Sequence, residues 1–112
     1  MTLIAVLGAG SWGTTLANLL AVKGDTVRLW AYEPEAVESI NRDHENTLFL
    51  PGVALAPALR AYEDAREAVA GAPVIVSAAP SHAVRSVIQR LQGQVQQGAL
   101  VVSATKGIEK CN

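Results

Sequence analysis

The feature that most constrains this chain is a glycine-rich hexapeptide at residues 8–13 (GAGSWG), which directly follows a short apolar run. The run at residues 3–7 (LIAVL) is typical of a central parallel strand that is covered on both faces. Residues 11–23 then predict a helix, with a glycine after its last turn as a stop. A strand, a glycine turn and a helix in this order predict the opening unit of a parallel sheet.

The spacing of the three glycines matches G-x-G-x-x-G, and in this setting it predicts a dinucleotide-binding loop. Gly8 permits the tight turn, Gly10 lets a pyrophosphate approach the backbone, and Gly13 lets the helix pack closely on the sheet. The helix N-terminus offers N–H groups and a partial positive charge to phosphates. A merely tight strand-to-helix turn is the alternative.

No charged residue occurs in residues 1–22, a length that could cross a membrane. Three glycines and several polar residues in its middle make it poor material for a lipid-facing helix. A secretory signal requires a basic residue before its apolar run, and this chain has none there. We therefore expect no membrane span. Within the helix, Leu16, Leu19 and Leu20 are predicted to form one buried stripe.

Strand and helix patterns alternate along the whole chain. This alternation predicts an α/β fold, a Rossmann-like doubly wound parallel sheet, with residues 1–112 forming one NAD(P)-binding domain. After the first strand and helix, the predicted strands are residues 26–31, 59–62, 73–79 and 99–103, and the predicted helices are residues 34–41, 63–70 and 81–92.

The composition supports a packed domain and excludes several classes of function. Half of the 112 residues are hydrophobic, 17% are charged, and the mean hydropathy is +0.25, which is too apolar for a disordered tail. A net charge of −1 argues against a basic nucleic-acid surface. The single cysteine, Cys111, excludes a disulfide within the chain and a cysteine-based zinc site. We expect a cytoplasmic protein.

The tip of the second strand leaves the choice between NAD and NADP open. Glu33 lies 20 residues after Gly13, near where an acidic residue binds the ribose 2′-hydroxyl of NAD, but it equally suits the first turn of the next helix. Neither Arg28 in the strand nor Arg42 at a helix end is placed to bind a 2′-phosphate. Tyr32 fits either contact with the adenine or surface packing.

Two further strand ends could carry chemistry, because ligands of such sheets bind outside the carboxyl ends of the strands. Lys106, followed by a glycine, could reach a bound anion or carbonyl oxygen, or it could be a solvated surface lysine. His82 could carry a proton, but local packing at a helix start suits it better. Its neighbour Ser81 lacks an orienting acid, which argues against a hydrolase triad. His44 lacks a second histidine nearby, so we expect no metal site.

Five segments in order along the chain resemble the N-terminal cofactor domain of bacterial NAD(P)-dependent glycerol-3-phosphate dehydrogenase. Each segment is weak alone, but five collinear matches are specific. They are residues 8–14 (GAGSWGT), 27–30 (VRLW), 44–46 with 49–52 (HEN, FLPG), 79–81 with Arg85, and 103–109 (SATKGIE).

The resemblance implies hydride transfer between NADH or NADPH and the pair dihydroxyacetone phosphate and sn-glycerol 3-phosphate, in the synthesis of phospholipids. It implies that Lys106 contacts both substrate and nicotinamide as a catalytic residue, where an ammonium could polarise the carbonyl or hold the phosphate. The residues that it implies in cofactor binding are Gly8, Gly10, Ser11, Trp12, Gly13, Tyr32, Phe49, Pro80 and Lys106.

Members of this family are longer and carry a helical C-terminal domain with a second, acid/base lysine. The sequence resembles the first part of such an enzyme, so we expect this chain alone to bind dinucleotide weakly and not to catalyse. A homodimer of the full-length protein is left open. Two alternatives remain: a stand-alone dinucleotide-sensing module, and the cofactor domain of a related 2-hydroxy-acid or ketone reductase.

Overall fold

A computed structural model describes residues 2–78 and 100–103 of the chain. In residues 2–78 the strands and helices alternate, as the sequence predicts for an α/β fold. The elements are β1 (Leu3–Leu7), α1 (Ser11–Lys23), β2 (Thr26–Trp30), α2 (Pro34–Asp43), β3 (Arg60–Tyr62), α3 (Ala65–Val69), β4 (Val74–Ser77) and β5 (Leu100–Ser103).

The five strands form one sheet in the order β3-β2-β1-β4-β5, and every neighbouring pair is parallel. β1 lies in the middle, with Leu3 opposite Thr26 of β2 and Ile4 opposite Val74 of β4. The chain moves outward on one side of β1 and then returns to the other side. This reversal is the defining topology of the doubly wound, Rossmann-like sheet.

The core has two layers, one on each face of the sheet, because successive side chains of a strand point to opposite faces. Ile4 and Val6 of β1 belong to a cluster that α1 and α2 cover. Ala5 and Leu7 belong to a second cluster, together with Val69 of α3. A strand buried on both faces reads as the unbroken apolar run that residues 3–7 show.

Helix α1 packs on the sheet mainly through small residues, and one of the three leucines of the predicted stripe, Leu19, does not belong to the buried face. Its buried residues are Gly13, Thr14 and Ala17, while Leu16 and Leu20 are partly buried and pack against the same core, as predicted. Leu19 is 61% exposed. With about 100° of rotation per residue, Leu19 lies roughly 200° around the helix from Ala17 and therefore faces away from the sheet.

The charge-free stretch at the N-terminus is accounted for by β1, the glycine loop and α1. Within the described residues, no helix combines the length and the apolar character that crossing a membrane requires. The helix predicted at residues 81–92 lies outside the described residues. α2 continues two residues beyond the predicted end and stops where His44 adopts a left-handed conformation (φ 55°).

Candidate dinucleotide-binding site

The carboxyl ends of the strands meet at one edge of the sheet, because all the strands run in the same direction. The backbone ladder continues there for one residue beyond each of three strands. Gly8 N–H donates to the Trp30 carbonyl oxygen (3.0 Å), and Ala78 N–H donates to the Leu7 carbonyl oxygen (2.9 Å). Ala31 N–H likewise donates to the Tyr62 carbonyl oxygen (3.0 Å). The glycine loop thus leaves the sheet at the topological switch point, where such folds bind ligands.

Two of the three glycines in the loop are required by the fold itself. Gly8 has a φ of 116°, which side-chain-bearing residues rarely adopt. A Cβ on Gly13 would lie 1.9 Å from the carbonyl oxygen of Gly8, so only glycine lets α1 approach β1 this closely. The packing role predicted for Gly13 is therefore confirmed.

Gly10 differs from the other two, because the fold does not require a glycine there. Its backbone is extended (φ −67°, ψ −174°), and among the described residues, apart from its two chain neighbours, no atom lies within 4 Å of a Cβ placed on it. The space in front of Gly10 is open, and Gly10 is the N-cap of α1. A ligand could therefore approach this backbone closely without meeting a side chain at the position of that Cβ from the described residues beyond the neighbours of Gly10.

The charge around the start of α1 suits an anion. The first turn of α1 contains no acidic residue, and Ser11 and Trp12 are exposed. N–H groups of a first helical turn have no intrahelical acceptor and carry partial positive charge. The one cation in the last turn, Lys23, pairs with Asp25 at 3.0 Å and lies at the opposite end of the helix.

A buried polar network ties this loop to a distant part of the chain. Asn46 is fully buried, and its side-chain Nδ2 donates to the Ala9 carbonyl oxygen and to Thr14 Oγ1, both at 2.8 Å. Thr14 Oγ1 donates in turn to the same Ala9 carbonyl (3.1 Å). The Asn46 Oδ1 accepts from Phe49 N–H (3.1 Å). Asn46 therefore links the glycine loop to the turn at residues 46–50.

Asn46 belongs to the segment at residues 44–46 that resembles the family, but no role for it follows from the sequence. Only its place in an irregular segment with turn residues hinted at a structural function, and nothing in the sequence paired it with a loop 37 residues away. The turn itself closes through Leu50 N–H, which donates to the Asn46 carbonyl oxygen at 2.8 Å. It presents Phe49, which is 37% exposed, beside the glycine-loop network.

Three polar residues next to this turn, Ser39, Glu45 and Asp43, have structural partners. Ser39 on α2 donates to the Glu45 carbonyl oxygen and accepts from Thr47 N–H (3.2 Å). Glu45 Oε2 accepts from Gly52 N–H (2.9 Å). Asp43 pairs with Arg42 (3.1 Å), whose hydrogen bonds lower the pKa of that carboxyl. No group of three potential metal ligands occurs among the residues that the structure describes.

The tip of β2 holds Tyr32 and Glu33. Tyr32 is 77% exposed, and its ring meets that of Trp30 edge-on with 5.5 Å between centroids. Glu33 is the N-cap of α2, and its carbonyl oxygen accepts the first bonds of that helix, but its side chain makes no capping bond and the acidic residue in the first turn is Glu35. Arg28 points elsewhere, because its Nη1 donates to the carbonyl oxygens of Glu67 (3.1 Å) and Ala70 (2.8 Å).

Several residues singled out in the sequence fall outside the described part of the chain. The structure describes β5 as far as Ser103, three residues before Lys106 in the sequence. Those outside are Pro80, Ser81, His82, Arg85, Lys106 and Cys111.

Comparison with known proteins gives a consistent result. Residues 3–112 match the family model described as NAD-dependent glycerol-3-phosphate dehydrogenase N-terminus. A glycerol-3-phosphate dehydrogenase [NAD(P)+] of Nitratidesulfovibrio vulgaris (strain DP4) is 55% identical over 106 residues, which are 95% of this chain and 32% of that protein. The chain therefore spans about a third of the length of the curated relatives it matches.

Solved structures agree with the sequence relatives. The glycerol-3-phosphate dehydrogenase of Coxiella burnetii is 39% identical, with a TM-score of 0.85 over 95% of this chain and 33% of that one. The yeast enzyme of the same name is 29% identical, with a TM-score of 0.87 over 95% of this chain and 34% of that one. The fold of the described residues is thus that of the first third of these proteins.

Proposed function

The chain belongs to the family of NAD-dependent glycerol-3-phosphate dehydrogenase N-terminal domains, and from this premise we propose that it binds the dinucleotide of such an enzyme. The parent reaction is the interconversion of dihydroxyacetone phosphate and sn-glycerol 3-phosphate with NADH or NADPH. It would supply glycerol phosphate for phospholipid synthesis in the cytoplasm. The relatives at 55% identity favour this reaction over those of related 2-hydroxy-acid and ketone reductases.

The observation that carries the proposal is the open space at Gly10. The backbone conformation requires a glycine at position 8, and helix packing requires one at position 13. Neither of these two requirements applies to Gly10. A pyrophosphate in that space would meet backbone N–H groups at the start of α1, whose first turn contains no acidic residue. The residues present therefore fit a dinucleotide.

Other residues around the glycine loop are proposed to contact the rest of the cofactor. Ser11 and Trp12 in the first turn of α1 would contact the phosphates. Tyr32, exposed at the tip of β2, would lie near the adenosine, and Phe49 near the bound cofactor. Pro80 completes the set by resemblance to the family. Neither nucleotide is favoured by this set, so the affinity for each has to be measured.

Lys106 is proposed as the catalytic residue that this chain contributes. When bound, the nicotinamide supplies or accepts the hydride. The ammonium of Lys106 would hold the substrate carbonyl oxygen or phosphate, which stabilises negative charge as it develops. The resemblance implies that the acid/base lysine belongs to a separate helical domain, so we expect the 112-residue chain to bind dinucleotide without turnover.

Binding is tested by titrating NADH and NADPH separately into the 112-residue chain. Nicotinamide fluorescence, excited by energy transfer from Trp12 and Trp30, reports the complex. We expect saturable binding that Gly10→Val abolishes, because its side chain fills the open space. Ala70→Val adds two methyl groups at an exposed helix end on α3, far along the chain from the glycine loop, and serves as the control for an added branched side chain. Unchanged affinity in a folded Gly10→Val variant would refute the phosphate-loop assignment.

Turnover is tested in a protein that also contains a helical second domain. Lys106→Ala should reduce kcat by at least about a hundredfold if this ammonium stabilises the transition state. Its melting temperature should stay close to that of the parent. A rate within a few-fold of the parent would show that Lys106 is not catalytic.

A further inference from the structure

We propose that Asn46 is a positioning residue for dinucleotide binding, which sets the direction of the Gly10 N–H and the place of Phe49 at once. This inference rests on the proposed function. It gives a ligand-related role to a fully buried side chain that lies at the centre of the network beneath the glycine loop.

The orientation of the Asn46 amide is determined by its partners. The Thr14 hydroxyl gives its proton to the Ala9 carbonyl oxygen, so towards Asn46 it can only accept. The Nδ2 group therefore faces Thr14 and Ala9, and Oδ1 faces Phe49 N–H. Both donor hydrogens and the acceptor are used. An aspartate of the same shape could keep the bond from Phe49 but could not donate to Ala9.

Holding the Ala9 carbonyl also orients the next N–H. The Ala9 carbonyl and the Gly10 N–H belong to one peptide unit, which is planar and trans, so the two groups point in opposite directions. The carbonyl points inward to the buried Asn46. The Gly10 N–H therefore points outward, on the exposed side of the loop where Gly10 faces open space. An anion there would meet a donor that needs no reorientation.

The same side chain places the second wall of the proposed site. Asn46 Oδ1 holds Phe49 N–H, and the Asn46 carbonyl closes the turn on Leu50. Because one amide bonds to both the loop and the turn, a change at Asn46 moves them relative to each other. Loss of this amide should therefore weaken dinucleotide binding beyond its effect on folding.

Asn41 provides a matched control, since its amide makes similar bonds away from the glycine loop. Its Nδ2 donates to the Ala61 carbonyl oxygen (3.0 Å), and its Oδ1 accepts from Ala61 N–H (2.8 Å). Asn41 is a residue of α2 and bonds to the edge strand β3. Asn41→Ala removes an asparagine amide from the fold without touching the network beneath the glycine loop.

The experiment measures the Kd for NADH and NADPH in the 112-residue chain and its variants, at a temperature where circular dichroism shows each to be folded. We expect Asn46→Ala and Asn46→Asp to raise the Kd at least tenfold. Asn41→Ala should lower the melting temperature but leave the Kd within twofold. A conservative pair guards against loss of folding: Thr14→Val should raise the Kd several-fold, whereas Thr14→Ser, which keeps the hydroxyl, should not.

The Kd values decide whether Asn46 positions the dinucleotide site or only stabilises the fold. Equal effects of Asn46→Ala and Asn41→Ala on the Kd would show that Asn46 is a purely structural residue and would overturn the inference. Unchanged dinucleotide affinity in folded Asn46→Ala or in folded Thr14→Val would also overturn it. If the folded parent chain binds neither nucleotide, the proposed function fails and this inference fails with it. If the parent chain binds a nucleotide but the variants bind it equally well, only the role of Asn46 is refuted and the proposed function stands.

Discussion

A side-chain carbon on Gly13 would lie 1.9 Å from the carbonyl oxygen of Gly8, much closer than non-bonded heavy atoms can approach. The same carbon would also lie 3.2 Å from Cβ of Ala78, just past β4. The start of α1 is thus pressed against the ends of β1 and β4. This close approach brings the first turn of the helix to the edge of the sheet where the strands end.

Gly13→Ala should therefore destabilise the fold. The new methyl group meets backbone that cannot move aside cheaply, and we expect a loss of about 3 kcal/mol or more in the free energy of unfolding. Gly10→Ala is the control, because it adds the same methyl group in open space with an ordinary backbone conformation. Its change should stay within about 0.5 kcal/mol. Urea denaturation measures both, and similar losses would contradict the packing described here.

Asn41→Ala should expose the edge of the sheet. The Asn41 amide satisfies both the N–H and the carbonyl of Ala61 on β3, as a further strand would do. Removing it costs two hydrogen bonds and leaves an unpaired strand edge, which favours association. We expect a loss of about 1–2 kcal/mol, measured by denaturation, and more aggregation at high concentration, measured by light scattering. A variant as stable and as monomeric as the parent would count against this role.

Arg28→Leu should loosen the attachment of α3 to the sheet. The Arg28 guanidinium donates to the carbonyl oxygens of Glu67 and Ala70 at the C-terminal end of α3, where positive charge is favourable. We expect a loss of about 1 kcal/mol and faster amide exchange in α3. Arg60→Leu is the control, because Arg60 lies opposite Arg28 in the register of β2 and β3 and is exposed. Equal changes in the two variants would refute the assignment.

Acid should weaken the start of α3. The Arg66 side chain, and then the Arg66 N–H, hold the pKa of Asp64 below its ordinary value of 3.8. A carboxyl with a lowered pKa stabilises the fold above its unfolded pKa. That contribution is lost as the pH falls from about 3.8 through the folded value. Asp64→Asn keeps a capping oxygen without the charge. Its stability should fall less steeply below pH 4 than that of the parent, and parallel curves would show that Asp64 contributes nothing.

Local signals in the sequence were sufficient to predict the helices and strands that the structure describes. The bounds predicted for β1 and α1 agree with the structure, because an apolar run, a glycine turn and a stop at Gly24 are all encoded within a few residues. The ends of shorter elements were less accurate. β2 stops at Trp30 rather than Ala31, and α3 is residues Ala65–Val69 rather than the predicted 63–70. Such ends depend on which backbone groups find partners in neighbouring elements.

The sequence by itself determined the parallel α/β architecture and the glycine loop, since strand periodicity, helix stops and glycine spacing act over short distances. Tertiary structure alone decided which face of α1 is buried, so that Leu19 turned outward while Thr14 turned inward. It also paired Asn46 with Ala9, and Arg28 with the end of α3. Contacts between residues tens of positions apart depend on where the packed helices and strands bring each side chain, and no local pattern contains that information.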